Sequence, residues 1–247
     1  MDLNSKWYHK MLEIANKVAK VPGLKTLLKP IYYPIKQRFA VTQRKKFLQN
    51  GVEVLRKFDK CLTENNIEYT LAFGTLLGAV REKGFIKHDL DIDVCIWGSQ
   101  YSEKIKSVLN SAGFELIHAF IVEDGSIGRE ETYKCDGVAI DIFYLYDDGG
   151  EYPYCCDFST INKCPTFIQS MKKYGRIKAR RIELPISEER VKTPFESIEL
   201  YIPANAHEIL QFRYGPDYMI PNPNWEIGSY NRHIREWGEK VAYYYEW

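Results

Sequence analysis

The 247 residues contain no uninterrupted apolar run of about 18 or more, so no segment reads as a membrane-spanning helix. The opening stretch, MDLNSKWYHKMLEIANK, lacks the continuous apolar core and small-residue end of a secretion signal. A cytoplasmic location is therefore the expectation. The net charge is only +1, and no nucleic-acid-binding motif is recognisable, so nucleic acid is not expected as a partner. There is no CxxC pair among Cys61, Cys95, Cys135, Cys155, Cys156 and Cys164. The run YCCDFSTINKC offers neither the spacing nor a fourth ligand for zinc, and reduced, buried thiols are the better reading. No internal repeat is visible.

What is present is ordinary globular material, 45% hydrophobic and 27% charged, in a length that suits one large domain or one domain with appendages. The small net charge hides an asymmetry. Residues 1–50 hold eleven Lys and Arg against two acids, which leaves 23 bases against 31 acids in the remainder. A basic leader, residues 1–41, carries Trp7, Tyr8, Lys10, Lys17, Lys20, Lys25 and Lys29. It has two equal readings: peripheral contact with an anionic membrane surface, or a helix packed on the domain with its charges in water. Residues 42–225 form the expected catalytic domain, and residues 226–247 a helical tail packed on it.

Within that domain the spacing predicts a helix from about Thr42 through Glu64, preceded by a segment broken at Pro30 and Pro34. A short strand, YTLAF, ends at Gly74-Thr75, and LLGAVREKG reads as a short helix closed by Gly84. DLDIDVCIW is the next strand, SEKIKSVLNSAGF an amphipathic helix, and FELIHAFIV and VAIDIFYLY two further strands. Residues 146–165 look loop-like, and ANAHEILQFRYG is a helix ending at Gly215. The class is α+β: a small mixed sheet flanked by helices, with a helical leader and a helical, aromatic C-terminal extension.

One stretch demands explanation. GTLLGAVREKGFIKHDLDIDV places Asp89, Asp91 and Asp93 at alternate positions in what otherwise reads as a buried strand. Alternate residues of a strand share a face, and carboxylates on one face repel and resist desolvation unless a cation is held among them. Asp141 is likewise one acid among Val138, Ile140, Ile142 and Phe143. If the two strands are neighbours, Asp91, Asp93 and Asp141 converge as hard oxygen ligands of the kind that suit Mg²⁺. Upstream, a strand that enters a helix through Gly74-Thr75 presents backbone N–H groups to an anion. Arg81, Lys83 and Lys87 lie between this turn and the acids. Phosphate on one side and metal on the other is the arrangement of phosphoryl-transfer sites.

The spacing Gly74-Thr75, Asp91-x-Asp93 and a later Asp on an apolar strand resembles the nucleotidyltransferase fold. More narrowly, FGTLLGAVREKGFIKHDLDIDV is similar to the LicD family, to which the fukutin-type proteins are related, and IPANAHEILQFRYGPDYMIP resembles that family's second signature. The likeness covers roughly residues 45–225. Where many members read Trp-Asp-Asp-Asp-Ile-Asp, this chain has HDLDID, so it departs from the family at His88 and Leu90. The resemblance implies transfer of a phospho-substituent such as phosphocholine from a CDP-activated donor to a sugar hydroxyl of a glycan or lipid-linked acceptor. It implies that Asp91 and Asp93 bind Mg²⁺ or Mn²⁺, and that Asp141 completes the metal site or acts as general base. Gly74 and Thr75 would contact donor phosphate, Arg81 would neutralise it, and Tyr214 and Gly215 would shape the site. His88 and Asp89 are further binding candidates.

Each has a plainer use. Asp91 and Asp93 could be charges on a solvated edge strand, and Asp141 could pair with a buried arginine. Asp89 could be a loop acid, His88 a surface histidine, and Lys83 a helix-surface charge. Arg176, Lys178, Arg180 and Arg181 suit an anion or a solvated face equally. Trp225 and Trp237 could cage a quaternary ammonium, although core packing is the commoner use. Two other functions stay open: a nucleotidyltransferase moving NMP from an NTP, and a non-catalytic glycan- or nucleotide-binding domain.

Overall fold

The computed structural model describes residues 24–87, 89–222 and 233–247, with side chains from residue 41 onward. Most of the basic leader, His88 and Trp225 lie outside the described residues. The chain divides into two compact units, Met1–Gln49 and Asn50–Trp247. Helix α1 (Leu24–Glu64) runs unbroken through Pro30 and Pro34, where the sequence reading breaks it. A proline removes one backbone N–H from the ladder and leaves the bonds on either side in place, so two isolated prolines weaken a helix without having to end it. In the second unit, α1 buries Val54, Leu55, Phe58 and Leu62, a stripe at helical spacing. It stops at Asn65-Asn66, where Asn66 takes a positive φ and the Ile67 N–H returns to the Leu62 carbonyl.

The chain then forms β1 (Thr70–Leu71), α2 (Phe73–Arg81), β2 (Asp91–Trp97), α3 (Glu103–Ser111), β3 (Glu115–Val122), β4 (Arg129–Cys135) and β5 (Val138–Leu145). After these come β6 (Tyr154–Ser159), α4 (Phe167–Tyr174), β7 (Lys178–Glu183), β8 (Arg190–Phe195), β9 (Ile198–Pro203) and α5 (Ala206–Tyr214). The last elements are β10 (Ile234–Glu236) and β11 (Ala242–Glu246). The principal sheet has the order β1-β2-β5-β4-β3-β11, with β2 and β5 parallel and the other neighbours antiparallel. A second sheet, β10-β7-β6, and the hairpin β8–β9 complete the strands.

The α+β class is as expected from sequence, and three further local readings change. The strand before Gly74 is only two residues long, because α2 begins at Phe73 and takes Gly74 and Thr75 into its first turn. Residues 146–165 contain β6, which buries Tyr154, Cys155 and Cys156. The tail expected to be helical forms β10 and β11 instead. The reason is chemical: AYYYE is aromatic, favours an extended, half-buried surface, and pairs with residues 118–122 of β3 at the sheet edge. Trp237 packs edge-on against Tyr154, and the Arg181 guanidinium lies over both rings, so this tryptophan is used in packing. The six cysteines are free thiols, all but Cys164 buried. No described helix is long and apolar enough to cross a membrane.

Candidate active site

The site is fixed by strand alternation. Ile92, Val94 and Ile96 of β2 and Val138, Ile140, Ile142 and Tyr144 of β5 are almost wholly buried on one face of the sheet. That burial forces Asp91, Asp93 and Asp141 to the opposite face. The parallel register then pairs Asp93 directly with Asp141, and Asp91 with Ala139. Three carboxylates separated by up to fifty residues of sequence thus share one patch, as the alternation predicts.

The start of α2 borders this patch. Its N-cap, Ala72, is extended and has no side-chain cap; its own N–H donates to the Asp93 carbonyl. Phe73 enters the helix at a positive φ of 42°, a strained conformation for an aromatic residue, and packs edge-on against Phe143, two residues beyond Asp141 on β5. Thr75 is buried, and its Oγ1 accepts the Asp93 N–H at 2.9 Å. The hydroxyl supplies the acceptor that β1 stops too early to provide. Gly74 faces Asp89: a Cβ built on it would lie 3.4 Å from Asp89 Oδ1. Its N–H is directed at the Asp93 carboxylate and tempers that group's basicity. The Gly74 N–H at the helix start therefore meets negative charge, and that charge is the acid patch itself.

The electrostatics are those of crowded carboxylates. Burial pushes Asp93 well above the usual carboxylate range, and Asp91, Asp141 and Asp89 push it further. Burial and then Asp91 raise Asp89 to about 6, against the opposing pull of the Ile86 N–H and the Arg81 guanidinium. Asp141 rises to about 6 through burial, with the Thr132 hydroxyl working against the shift. Asp91, at the exposed end of β2, is raised by desolvation and held down by the N–H groups of Asp91 and Leu90. Asp89 Oδ2 is buried without a hydrogen-bond partner. These hard oxygen donors have the chemistry of a Mg²⁺ or Mn²⁺ site. Among the described residues, no three His, Cys, Asp or Glu side chains are grouped, as they stand, so that they could hold a metal ion.

The surroundings add residues that sequence reading overlooks. Thr132 of β4 is the register partner of Asp141 and donates to its Oδ1 at 2.5 Å. Glu130, two residues earlier and on the same face, is raised well above its ordinary value by burial, then by Asp141, Asp157 and Asp93. Asp157 is held by Arg180, whose Nε donates to Oδ2 at 2.8 Å, so Arg180 serves an ion pair between β6 and β7. Arg81 is mostly buried; it donates to Glu82 at 2.8 Å and to the Tyr218 carbonyl at 3.3 Å, and it lies close enough to Asp89 to stabilise its charge. Tyr214 sits within electrostatic reach of Asp93, Asp89 and Arg81. Lys83 is exposed and turns the chain at positive φ, its carbonyl accepting the Glu196 N–H at 2.6 Å. A sequence signal for Thr132 did exist: Asp136-Gly137 is a two-residue hairpin turn with both φ positive, which joins β4 to β5 and sets their register.

A mixed sheet with an Asp-x-Asp strand beside a parallel strand bearing a third acid, entered from a Gly-Thr helix start, defines a domain of the nucleotidyltransferase type. The family model described as LicD/FKTN/FKRP, nucleotidyltransferase domain, matches residues 66–205, more than half of the chain and all of the acid patch. The chain belongs to this family. It is 23% identical to the ribitol-5-phosphate transferase FKTN of Mus musculus over 206 residues, covering 80% of this chain and 41% of that protein. It is 24% identical to the Homo sapiens protein of the same name over 180 residues, 73% of this chain and 35% of that one. An uncharacterized protein of Rickettsia prowazekii is 28% identical over 194 residues, 78% of this chain and 56% of its own length. The chain thus spans about half, or less, of the length of these relatives.

Proposed function

We propose that the protein is a metal-dependent transferase that moves a phosphate-linked head group from a CDP-activated donor to a sugar hydroxyl of a glycan or lipid-linked acceptor. The observation that carries this reading is the register pairing of Asp93 with Asp141 on the face that α2 enters at Gly74. Asp91, Asp93 and Asp141 are the residues that would hold Mg²⁺ or Mn²⁺. When bound, the ion neutralises charge on the donor diphosphate and on the leaving nucleotide. The relatives named ribitol-5-phosphate transferases support a phosphopolyol among the head groups, beside phosphocholine, phosphoethanolamine and phosphonates.

The chain's own residues divide the remaining work. The first-turn N–H groups of α2 orient donor phosphate, and the absence of a side chain at Gly74 lets it approach. Arg81, held by Glu82 and the Tyr218 carbonyl, adds a fixed positive charge beside Asp89. Asp141 takes the proton of the acceptor hydroxyl or shares the ion; its Oδ1 is already engaged by Thr132, which leaves Oδ2 for that task.

The deciding assay incubates the protein with CDP-linked donors and sugar acceptors and follows CMP release with and without Mg²⁺. Ion-dependent CMP release that Asp91→Asn or Asp93→Asn abolishes, with the fold intact, is the expected result. Normal turnover in either variant overturns the assignment, and pyrophosphate release from labelled CTP or ATP would replace it with nucleotidyl transfer.

A further inference from the structure

One row of polar side chains crosses the principal sheet at the level of the acids. Asp93 on β2 is paired with Asp141 on β5, Asp141 with Thr132 on β4, and Thr132 with His118 on β3. Hydrogen bonds link the last three. The Thr132 hydroxyl donates to Asp141 Oδ1 at 2.5 Å, and His118 Nε2 lies 2.8 Å from the Thr132 oxygen. Threonine has a single O–H, and Asp141 receives it. Nε2 must therefore carry the imidazole proton and donate it to Thr132 Oγ1.

His118 reaches this row only because β3 is irregular. Leu116 pairs with Tyr133, and the next pair is His118 with Thr132, so Ile117 is an extra residue in the ladder. In a regular strand Ile117 would oppose Thr132, and the imidazole would turn to the other face. A bulge re-aims a side chain in this way, and bulges recur beside functional sites. The bulge is itself secured, because the Trp247 N–H donates to the Ile117 carbonyl at 3.1 Å. The imidazole is held between the rings of Phe120 and Tyr244, with centroids 5.2 and 5.6 Å away. A half-buried, correctly turned donor behind a carboxylate orients the carboxylate.

We infer that His118 and Thr132 are positioning residues: through the relay Nε2–H to Oγ1 and O–H to Oδ1 they fix the orientation of Asp141 so that its free oxygen faces Asp93 and the divalent ion. The inference rests on the metal reading above and adds residues to it. Partners that orient a metal-binding carboxylate typically change affinity by about 10- to 100-fold when removed.

The test is Mn²⁺ binding to the full chain, followed by electron paramagnetic resonance, in the wild type, Thr132→Val, Thr132→Ser, His118→Phe and His118→Gln. Circular dichroism and thermal unfolding establish that each variant is folded. Thr132→Val should bind Mn²⁺ about tenfold or more weakly, and Thr132→Ser, which keeps the hydroxyl, should recover most of the loss. His118→Phe should weaken binding, and His118→Gln, whose amide still donates, should restore it; a purely space-filling role would not distinguish these pairs. Equal affinity in the wild type and Thr132→Val overturns the inference and leaves the metal site standing. A wild type that binds no Mn²⁺ overturns the metal reading and the inference together. Should Thr132→Val fail to fold, the histidine pair decides alone: Phe and Gln variants of wild-type affinity overturn the relay.

Discussion

Asp93 and Asp141 are direct partners across the parallel β2–β5 ladder, two desolvated carboxylates on adjacent strands with an apolar core on the other face of each. Such an arrangement costs stability, because each group is denied water and faces charge of its own sign. That cost is what the proposed metal-binding role would offset. Asp93→Asn should leave the melting temperature unchanged or raise it, while lowering CMP release by about 100-fold or more. Thermal unfolding and the donor assay on the same preparation check both halves. A destabilised variant would point to a structural Asp93.

Thr75 should behave in the opposite way. Its Oγ1 is the acceptor for the Asp93 N–H, and Thr75→Val would leave that donor buried and unmatched. The expected loss is about 1–3 kcal/mol in denaturant unfolding, with Thr75→Ser close to wild type.

Two glycines of α2 separate function from packing. At Gly78 a Cβ would lie 2.4 Å from the Gly84 carbonyl oxygen, so Gly78→Ala must displace backbone and should unfold at a clearly lower temperature. At Gly74 the nearest atom is Asp89 Oδ1 at 3.4 Å, an ordinary contact. Gly74→Ala should therefore melt within a few degrees of the wild type and still lose donor affinity, read as a raised KM.

The pH dependence follows from opposed groups. Burial lowers His118 to about 4, so the folded protein keeps it neutral while the unfolded chain takes up a proton near pH 6.5. Its contribution is fully present above that pH and is lost as pH falls toward 4. Asp89 and Asp141, raised to about 6, act the other way: the folded state holds their protons longer, and stability rises as pH falls from about 6 toward 4. In His118→Gln only the second effect survives. Its stability relative to the wild type should thus improve by about 1–2 kcal/mol between pH 7.5 and pH 5, after allowance for solvent screening. Unfolding curves at the two pH values measure it, and a pH-independent difference would contradict the burial of a neutral His118.

Glu130 is held above its ordinary carboxylate range beneath the β6 strand, so the neutral isostere should fit it. Glu130→Gln should match or exceed the wild-type melting temperature, whereas Glu130→Ala should lower it by removing the packing of a half-buried side chain.

Much of this site could be read from the chain because strand alternation is a local property. DIDVCIW and VAIDIFYL each declare one apolar face, and Asp91, Asp93 and Asp141 fall on the other. The Asp136-Gly137 turn even contains the register that sets Thr132 opposite Asp141. His118 was not legible, since its direction depends on one extra residue in β3 that no periodicity announces. Glu130 was missed because its environment comes from Asp157 on a different sheet. The tail was misread for a related reason: a short aromatic segment becomes a strand only because β3 presents an open edge to it. At Pro30 and Pro34 a strong local breaker was overridden by the helix around it.

The tie between the Trp247 N–H and the Ile117 carbonyl connects β11 to the bulge that aims His118 at Thr132. Trimming the last six residues would strip the outer neighbour from β3 and free the imidazole to turn away. Damage at this remote hem should show as weakened Mn²⁺ binding with every acidic side chain still in the sequence.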